Sequence, residues 1–202
     1  MTEVLKVTRE HQAAAVERAA VALEAGALVI LPTETVYGLA ADARRPDALA
    51  RIYAAKCRDA GKPVAFLASD VAAIEAYGAT LSPLACQLAA RHWPGALTLV
   101  LPCGEGFEGF RVPDHELARM IVSRCGGLLR VTSANASGEP AATRVEEALS
   151  ALADHVELAL DTGSVEGGEA STVVRVVENR LELLRQGPIV IADSEYANGV
   201  VV

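Results

Sequence analysis

The sequence has few aromatic residues, little positive charge and no long apolar run, and each shortage excludes a class of protein. Aromatic residues make up 4% of the 202 residues, so we expect a core built from Ala, Val, Leu and Ile. The 18 Lys and Arg face 26 Asp and Glu, and the net charge of −8 excludes coating of nucleic acid by bulk charge. No run approaches the ~18 apolar residues that span a bilayer. A globular chain with a local basic pocket remains compatible with this composition.

Neither the cysteines nor the histidines show a ligand or disulfide spacing. The four cysteines form no C-x-x-C pair, which favours free thiols in a reducing cytoplasm, and the four histidines are scattered, so a zinc enzyme is not expected. The first ten residues are charged and contain no apolar stretch of the kind that a signal peptide needs. We therefore expect a cytoplasmic protein with no metal site of its own.

Apolar periodicity alternates between helix and strand along the chain, which favours α/β layers around one sheet. The spacing predicts helices over residues 11–25, 46–57, 70–77, 82–92, 116–125 and 143–153. It predicts strands over residues 27–31, 64–68, 97–101, 127–131, 158–160, 171–177 and 181–184. Residues 32–43 are interpreted as a loop or partly extended segment, and residues 161–170 as a mobile loop. The three residues between the last two strands indicate a hairpin, so the sheet is expected to be mixed.

Two segments after predicted strands carry polar side chains suited to a ligand site. Pro32–Leu39 packs two hydroxyls, a carboxylate and a phenol between a proline and a glycine. Ser133–Gly138 combines small hydroxyl side chains with Asn135 and a glycine, which lets a backbone approach a phosphate. Loops at the carboxyl ends of strands form the ligand crevice of α/β sheets. Ordinary polar turns are the alternative for both segments.

A small positive island interrupts the acidic sequence. Residues 51–62 hold four positive and one negative side chain, so this segment carries +3 and the remainder −11. Lys56, Arg58 and Lys62 lie at or just beyond a predicted helix end, where they could meet an anionic small ligand. The alternative is that they only complement the dipole of the helix.

Four further positions are candidates that local pattern alone leaves open. Thr98 could be an ordinary strand residue, and Arg111, placed by the pattern in a loop before a helix, could be an exposed surface arginine. Ser171 and Arg185 stand at a predicted strand start and strand end.

Taken together and in this order, these segments resemble the YrdC-like family, whose core members are threonylcarbamoyl-AMP synthases. The family patterns P-T-E-T-V-Y-G-L, K-x-R, P-G-x-x-T, V-R-x-P, S-x-N, S-T-[IV]-V and R-x-G find counterparts at residues 32–39, 56–58, 94–98, 110–113, 133–135, 171–174 and 185–187. The fourth has Phe110 where the family has Val. The resemblance covers about Ala13 to Gly187, and seven ordered motifs make it specific.

The resemblance implies an α/β fold of three layers, with helices on both faces of a twisted mixed sheet and a concave ligand pocket. It implies synthesis of threonylcarbamoyl-AMP and pyrophosphate from L-threonine, bicarbonate and ATP, for the t6A modification at position 37 of tRNA. The catalytic residues would be Lys56, Arg58, Ser133 and Asn135. The residues that contact L-threonine would be Thr35, Ser171 and Arg111. The residues that contact ATP would be Arg58, Lys62, Thr98, Ser133 and Arg185.

The reaction joins two anions, so cations must offset their repulsion as pyrophosphate leaves, and Lys56, Arg58 and Arg185 are suited to that task. Mg²⁺ is expected to arrive with ATP, because the sequence shows no carboxylate cage. The implied partners are t6A-transferase proteins downstream, with weak or indirect contact to tRNA and no membrane.

The chain departs from the family pattern in a few places. Asp59 follows K-x-R where Pro is usual, Ala170 replaces a Pro, and Leu67 stands near the His of longer members. The chain ends soon after R-x-G, so we expect a single short-form domain over residues 1–202.

Two alternatives to synthesis of threonylcarbamoyl-AMP stay open. One is an RNA-binding module, although the net charge of −8 disfavours a wide basic surface. The other is a YrdC-like paralogue that makes a different carbamoyl-adenylate.

Overall fold

A ten-stranded mixed sheet organises the part of the chain that the computed structural model describes, residues 2–57, 59, 62–178 and 180–191. The strands are β1 (Glu3–Lys6), β2 (Val29–Leu31), β3 (Gly38–Asp42), β4 (Phe66–Ala68), β5 (Leu97–Cys103), β6 (Gly106–Arg111), β7 (Leu128–Ser133), β8 (Leu158–Asp161), β9 (Thr172–Val177) and β10 (Arg180–Arg185). The helices are α1 (Gln12–Glu24), α2 (Pro46–Ala55), α3 (Val71–Ala76), α4 (Pro83–His92), α5 (Glu116–Arg124) and α6 (Val145–Leu152). Short 3₁₀ turns cover Arg9–His11 and Ala153–His155.

The strand order across the sheet is β1-β8-β2-β3-β7-β4-β6-β5-β9-β10. The pairs β1–β8, β8–β2, β4–β6 and β5–β9 are parallel, and the remaining neighbours are antiparallel. The β9–β10 pair closes with Val177 opposite Arg180, which confirms the predicted hairpin and the mixed sheet. Four strands lie between β2 and β5 in the sheet. Neighbouring strands are often distant in the sequence, and this order brings motifs from the end of the chain close to motifs from its beginning.

Helices cover both faces of the half of the sheet that contains β8, β2 and β3. On one face, α1 and α5 bury residues such as Leu23 and Ile121 against Val29. On the opposite face, α2 and α6 bury Ile52 and their neighbours against the same strands. Both faces of these strands are therefore apolar, which is why the sequence of β2 is a continuous hydrophobic run.

In the other half of the sheet, β4 is still covered on both faces, because α5 packs on Leu67, whereas β6, β5 and β9 have described helices packed on one face. There α3 and α4 pack on Phe66, Leu99 and Phe110, extending the face that α2 and α6 cover. The residues that alternate with these, among them Thr98 and Arg111, point the other way and line a cavity. This exposed face positions the site, and the helices on both sides of the sheet confirm the predicted three layers.

Side-chain caps fix where several helices begin. The Asp70 carboxylate accepts a hydrogen bond from the Ala73 amide at 2.8 Å and starts α3, and Ser82 caps α4 from 3.3 Å. Pro46 and Pro83 occupy the first turns of α2 and α4, where no intrahelical donor is needed. No helix among the described residues is long and apolar enough to cross a membrane.

Three strands were not predicted from the sequence. Residues 32–43, interpreted as a loop or partly extended segment, contain the regular strand β3, whose Gly and Ala residues have low intrinsic strand propensity and are held by pairing on both sides. The two glycines of β6 weaken its strand pattern, so this strand was not predicted. Arg111 is its last residue and does not lie in a loop. Short, largely exposed β1 lacks an apolar run.

The predicted cap of α6 and the mobility assigned to residues 161–170 also need correction. The spacing from Thr143 to Glu146 is typical of a capping box, but it is Glu147 that accepts hydrogen bonds from the amides of Thr143 and Arg144, at 2.7 and 3.2 Å. The 161–170 loop is tied to its surroundings, because the Gly168 amide donates to the Thr35 carbonyl at 2.8 Å. The single domain expected over residues 1–202 stays a prediction.

Gly187 offers a test of how tightly the β9 start is packed. A Cβ there would lie 2.4 Å from the Ala170 carbonyl oxygen and 2.5 Å from the Thr172 nitrogen, both backbone atoms. We expect Gly187→Ala to lower the free energy of unfolding by about 1–3 kcal/mol, measured by urea denaturation. Gly106→Ala is the control, because nothing lies within 4 Å of its Cβ position, and it should stay within ~0.5 kcal/mol of wild type. Equal stability of the two variants would contradict the packing described.

Candidate functional site

A cavity of about 350 Å³ opens on the face of β5, β6 and β9 that no described helix covers, and β4 contributes Phe66 and Leu67 to its lining. The loop after β2 and the ends of β7 and β10 complete its wall. Six of the residues predicted from the sequence lie in its lining: Thr35, Thr98, Arg111, Ser133, Ser171 and Arg185. The strand order thus brings together residues as far apart in the sequence as Thr35 and Arg185.

The loop after β2 presents Thr35 to the cavity from a buried position. Thr33 and Thr35 are 3% and 2% exposed, and their hydroxyl oxygens are 2.9 Å apart in a shared hydrogen bond. Gly167 packs directly against this loop, since a Cβ there would lie 2.4 Å from the Glu34 carbonyl oxygen and 2.8 Å from the Thr35 Cα. The hydroxyl of Thr35 is therefore held by both its own loop and the 161–170 loop.

Thr98, Ser171 and Arg185 form one hydrogen-bonded cluster at the β5–β9–β10 end of the cavity. The hydroxyl oxygens of Thr98 and Ser171 are 2.8 Å apart. The guanidinium of Arg185 donates to the Ser171 carbonyl from Nε and Nη2, at 3.0 and 2.7 Å, and Nη2 lies 3.2 Å from the Ser171 hydroxyl. The structure thus brings together three residues that belong to three different motifs of the sequence.

Lys56 joins the end of α2 to the turn after β7. Its ammonium donates to the carbonyl oxygens of Ser133 and Asn135, both at 2.5 Å, and to the Asn135 side-chain oxygen at 3.1 Å. Lys56 is 2% exposed, so this charge is enclosed by the turn that it holds. The predicted proximity of Lys56 to Ser133 and Asn135 is therefore observed across 77 and 79 residues.

The orientation of the turn differs from the expectation in one respect. Ser133 lines the cavity, and Ala134 is fully buried, as a residue pointing away from it should be. Asn135, expected beside Ser133 in the cavity, instead accepts from Lys56 and donates its amide to the Glu139 carbonyl at 2.5 Å. The chain turns at this point, because the backbone N–H of Asn135 donates to the Ser133 carbonyl. The side chains of Ser133 and Asn135 therefore no longer lie on the same face of a strand.

Three predicted cationic residues are not part of the described lining of the cavity: Lys56, which holds the turn after β7, Arg58 and Lys62. Arg58 lies outside the described residues. Lys62 is exposed, and its neighbour Pro63 contributes to the lining instead. The roles assigned to the predicted site residues stay predictions, whereas the contacts of the described ones are observed.

Arginine supplies the charged groups of the lining. Arg111, Arg175 and Arg185 line the cavity, and the described lining includes no Asp or Glu side chain. The site is therefore suited to an anion, within a chain that carries −8 overall. The described residues contain no group of three or more His, Cys, Asp and Glu that could hold a metal ion.

Three buried titratable groups are held neutral. Desolvation raises the pKa of the Tyr37 phenol above its usual value, and the phenol donates to the Gly163 carbonyl at 2.7 Å. Burial lowers the pKa of His115, whose Nδ1 accepts from the Ala118 amide. Burial also raises the pKa of the Cys125 thiol to about 11, which keeps it protonated and unreactive at neutral pH.

Arg175 and Phe107 are among the lining residues that were not predicted from the sequence. The Arg175 guanidinium lies 5.4 Å from the centre of the Phe107 ring, and Phe107 is 47% exposed at the cavity. The period-2 alternation of the predicted strand over 171–177 would have placed Arg175 on the face of Val173, opposite buried Val174. Phe107 could not be assigned to the cavity from the sequence, because its strand, β6, was not predicted.

Comparison with known proteins gives a family match over most of the chain. The profile of the Sua5/YciO/YrdC family, described as telomere recombination, matches residues 21–187. A threonylcarbamoyl-AMP synthase of Bacillus subtilis is 36% identical over 185 residues, which cover 86% of this chain and 54% of that protein. A relative in Mycobacterium leprae is 36% identical over 202 residues, covering 95% of this chain and 91% of that protein. The chain thus spans about half the length of the first relative and nearly all of the second.

Solved structures show the same fold. Pyrococcus abyssi Sua5 complexed with L-threonine superposes with a TM-score of 0.85 at 32% identity, covering 93% of this chain and 57% of that chain. Escherichia coli YciO superposes with a TM-score of 0.86 over 97% of this chain and 100% of that chain. Its 18% identity limits that likeness to the fold.

The enclosed position of Lys56 predicts a role in stability as well as in any ligand contact. Removing its ammonium would leave two partly buried carbonyl oxygens and an amide oxygen without this donor. We expect Lys56→Met to lower the free energy of unfolding by about 2 kcal/mol or more in urea denaturation. Lys62→Met, at an exposed position, should change it by less than ~0.5 kcal/mol. If Lys56→Met were as stable as Lys62→Met, the ammonium would not hold the turn.

Proposed function

This chain belongs to the Sua5/YciO/YrdC family, and on that basis we propose that it is a threonylcarbamoyl-AMP synthase. The enzyme would form threonylcarbamoyl-AMP and pyrophosphate from L-threonine, bicarbonate and ATP. The observation that carries the proposal is one arginine-lined cavity that gathers six side chains from separate motifs on the exposed face of the sheet. The name of the Bacillus relative and the L-threonine complex of Pyrococcus Sua5 support the choice of substrates.

The chemistry proceeds in two steps whose atoms balance. The amine of L-threonine bonds to the carbon of bicarbonate, and loss of water leaves a carbamate. A carbamate oxygen then bonds to the α-phosphorus of ATP as the bond to the β-phosphate oxygen breaks, and pyrophosphate leaves. Since both reactants of the second step are anions, the protein's task is to position them and to offset their charge.

The proposed contacts would both position the two reactants and offset their charge. We propose that Thr35, Arg111 and Ser171 contact L-threonine and that Thr98, Ser133 and Arg185 contact ATP. The two sets meet at Ser171, whose hydroxyl lies 2.8 Å from that of Thr98 and 3.2 Å from Arg185 Nη2. Carbamate and α-phosphate would therefore be brought together at the β5–β9 end of the cavity. The proposed nucleotidyl transfer needs no covalent intermediate on the protein.

Lys56 and Asn135 would serve this reaction from behind the cavity wall. Their mutual hydrogen bonds fix the turn that presents Ser133, which keeps a donor aligned before the substrates arrive. Arg58, two residues after Lys56, is proposed to add a further positive charge toward the phosphates.

We also propose that Mg²⁺ enters as its complex with ATP. The described cavity lining has no carboxylate to offer a divalent cation, so the fit rests on the phosphate oxygens of the nucleotide. The metal would neutralise phosphate charge when bound. Within the cell, the product would pass in the cytoplasm to t6A-transferase proteins, which would place the group on tRNA.

The direct test of the proposed reaction is to incubate the protein with MgATP, bicarbonate and L-threonine and to measure the products by mass spectrometry. We expect threonylcarbamoyl-AMP and pyrophosphate in equal amounts, each dependent on all three substrates. Release of ADP and phosphate would contradict adenylate formation. Turnover with another amine in place of L-threonine would instead identify a paralogue with a different substrate.

Arg185 is the described cation best placed to act on the nucleotide. We expect Arg185→Ala to lower kcat/KM for ATP by ~10²-fold, the scale of losing one charge contact in a transition state. Arg185→Lys should recover only part of this, because an ammonium cannot reproduce the two donors that hold Ser171. Arg180→Ala, an exposed residue on the same strand, is the control and should keep wild-type kinetics. Normal turnover of Arg185→Ala would remove this residue from the site.

A further inference from the structure

Behind the cavity wall, a buried carboxylate contacts one of the lining arginines. Oε1 of Glu34 lies 2.7 Å from Nη2 of Arg111, and the two side chains are 22% and 9% exposed. Glu34 precedes Thr35 in the loop after β2, and Arg111 ends β6. The pair therefore connects two separate elements of the site. Glu34 itself does not belong to the described lining.

The nitrogens of the Arg111 guanidinium are unequally engaged. Nε donates to the Gly95 carbonyl at 3.1 Å, and Nη2 forms an ion pair with Glu34 that is not aligned as a hydrogen bond. Nη1 makes no hydrogen bond to any residue that the structure describes, and Arg111 lines the cavity. Two protein contacts thus fix the plane of the guanidinium, and the remaining nitrogen is the one that a ligand can use.

Stability alone does not account for the Glu34 carboxylate. Both of its oxygens are buried, and neither receives an aligned hydrogen bond within the described part of the chain. Enclosing a carboxylate in this way costs free energy that the attraction to one guanidinium does not reliably recover. Nearby His115 does not compensate, because burial lowers its pKa and keeps the imidazole neutral. A group kept at such a cost calls for a function.

We propose that Glu34 is the positioning residue for Arg111. Its carboxylate holds Nη2, sets the orientation of the guanidinium and presents Nη1 to an anionic group of the ligand. The carboxylate of the amino-acid substrate is that group, because Thr35, the residue after Glu34, lines the same cavity. Identification of the anion as the carboxylate of L-threonine rests on the proposed function, whereas the positioning of Arg111 does not.

The experiment compares Glu34→Gln and Glu34→Ala with wild type and with the control Glu146→Gln, which changes an exposed glutamate. The KM for L-threonine should rise about 10-fold or more in Glu34→Ala, as expected for a misaligned charge-assisted hydrogen bond. kcat and the KM for ATP should change less than ~3-fold, because the nucleotide contacts lie elsewhere. The KM of Glu34→Gln for L-threonine should lie between those of wild type and Glu34→Ala, since this variant keeps an oxygen for Nη2 but loses the charge.

A second measurement reports the position of Arg111 without any substrate. In ¹⁵N-labelled protein, the Nε–H signal of Arg111 is assigned by its disappearance in Arg111→Lys. We expect this signal to be protected from solvent exchange in wild type and Glu146→Gln, and to shift and exchange faster in Glu34→Ala. Thermal unfolding of each variant is followed alongside.

The possible results separate the inference from the function. An unchanged Nε–H signal and an unchanged KM for L-threonine in Glu34→Ala would overturn the positioning role. A parallel loss of every kinetic parameter together with a lowered Tm would also overturn it, in favour of a purely structural carboxylate. If wild type showed no threonine-dependent turnover, the proposed substrate would fall, and the Nε–H signal would still decide whether Glu34 positions Arg111.

Discussion

The site depends on one constraint: the ten-stranded sheet extends beyond the helices that cover one of its faces. From β8 to β4 across the sheet both faces are packed by helices, whereas β6, β5 and β9 have described helices packed on only one. An apolar exposed face would favour aggregation, but in this sheet Thr, Gly and Arg lie among the apolar residues of that face. The uncovered strands thus form a surface against which a ligand can bind in the place that a helix would otherwise occupy.

Contacts with the protein fix three positive groups of the site. Arg185 is held by the Ser171 carbonyl, Arg111 by the Gly95 carbonyl and Glu34, and Lys56 by two carbonyls of the turn after β7. Charges fixed in this way need little reorganisation when anions meet between them, which is how electrostatic catalysis gains its strength. The same contacts keep buried cations paired in a protein whose surface is predominantly acidic.

The sequence predicted the helices, the mixed sheet and the meeting of Lys56 with the Ser133 turn, because apolar periodicity and ordered motifs are local signals. It did not predict β3 or β6, since Gly and Ala positions become strands only through pairing with distant partners. The direction of Asn135 also depended on a turn that forms against Lys56. The contact of Glu34 with Arg111 joins a loop to an unpredicted strand, so no local pattern could reveal it.

The central claim, that the exposed face of the sheet binds both substrates, is tested most directly by chemical-shift mapping. Labelled protein is titrated with L-threonine and with a non-hydrolysable ATP analogue, separately and together. The account predicts that L-threonine shifts the amides of Thr35 and Ser171, that the nucleotide shifts those of Thr98 and Ser133, and that each ligand strengthens binding of the other. Shifts confined to the face covered by α2 and α6, or no saturable shifts with either ligand, would contradict it.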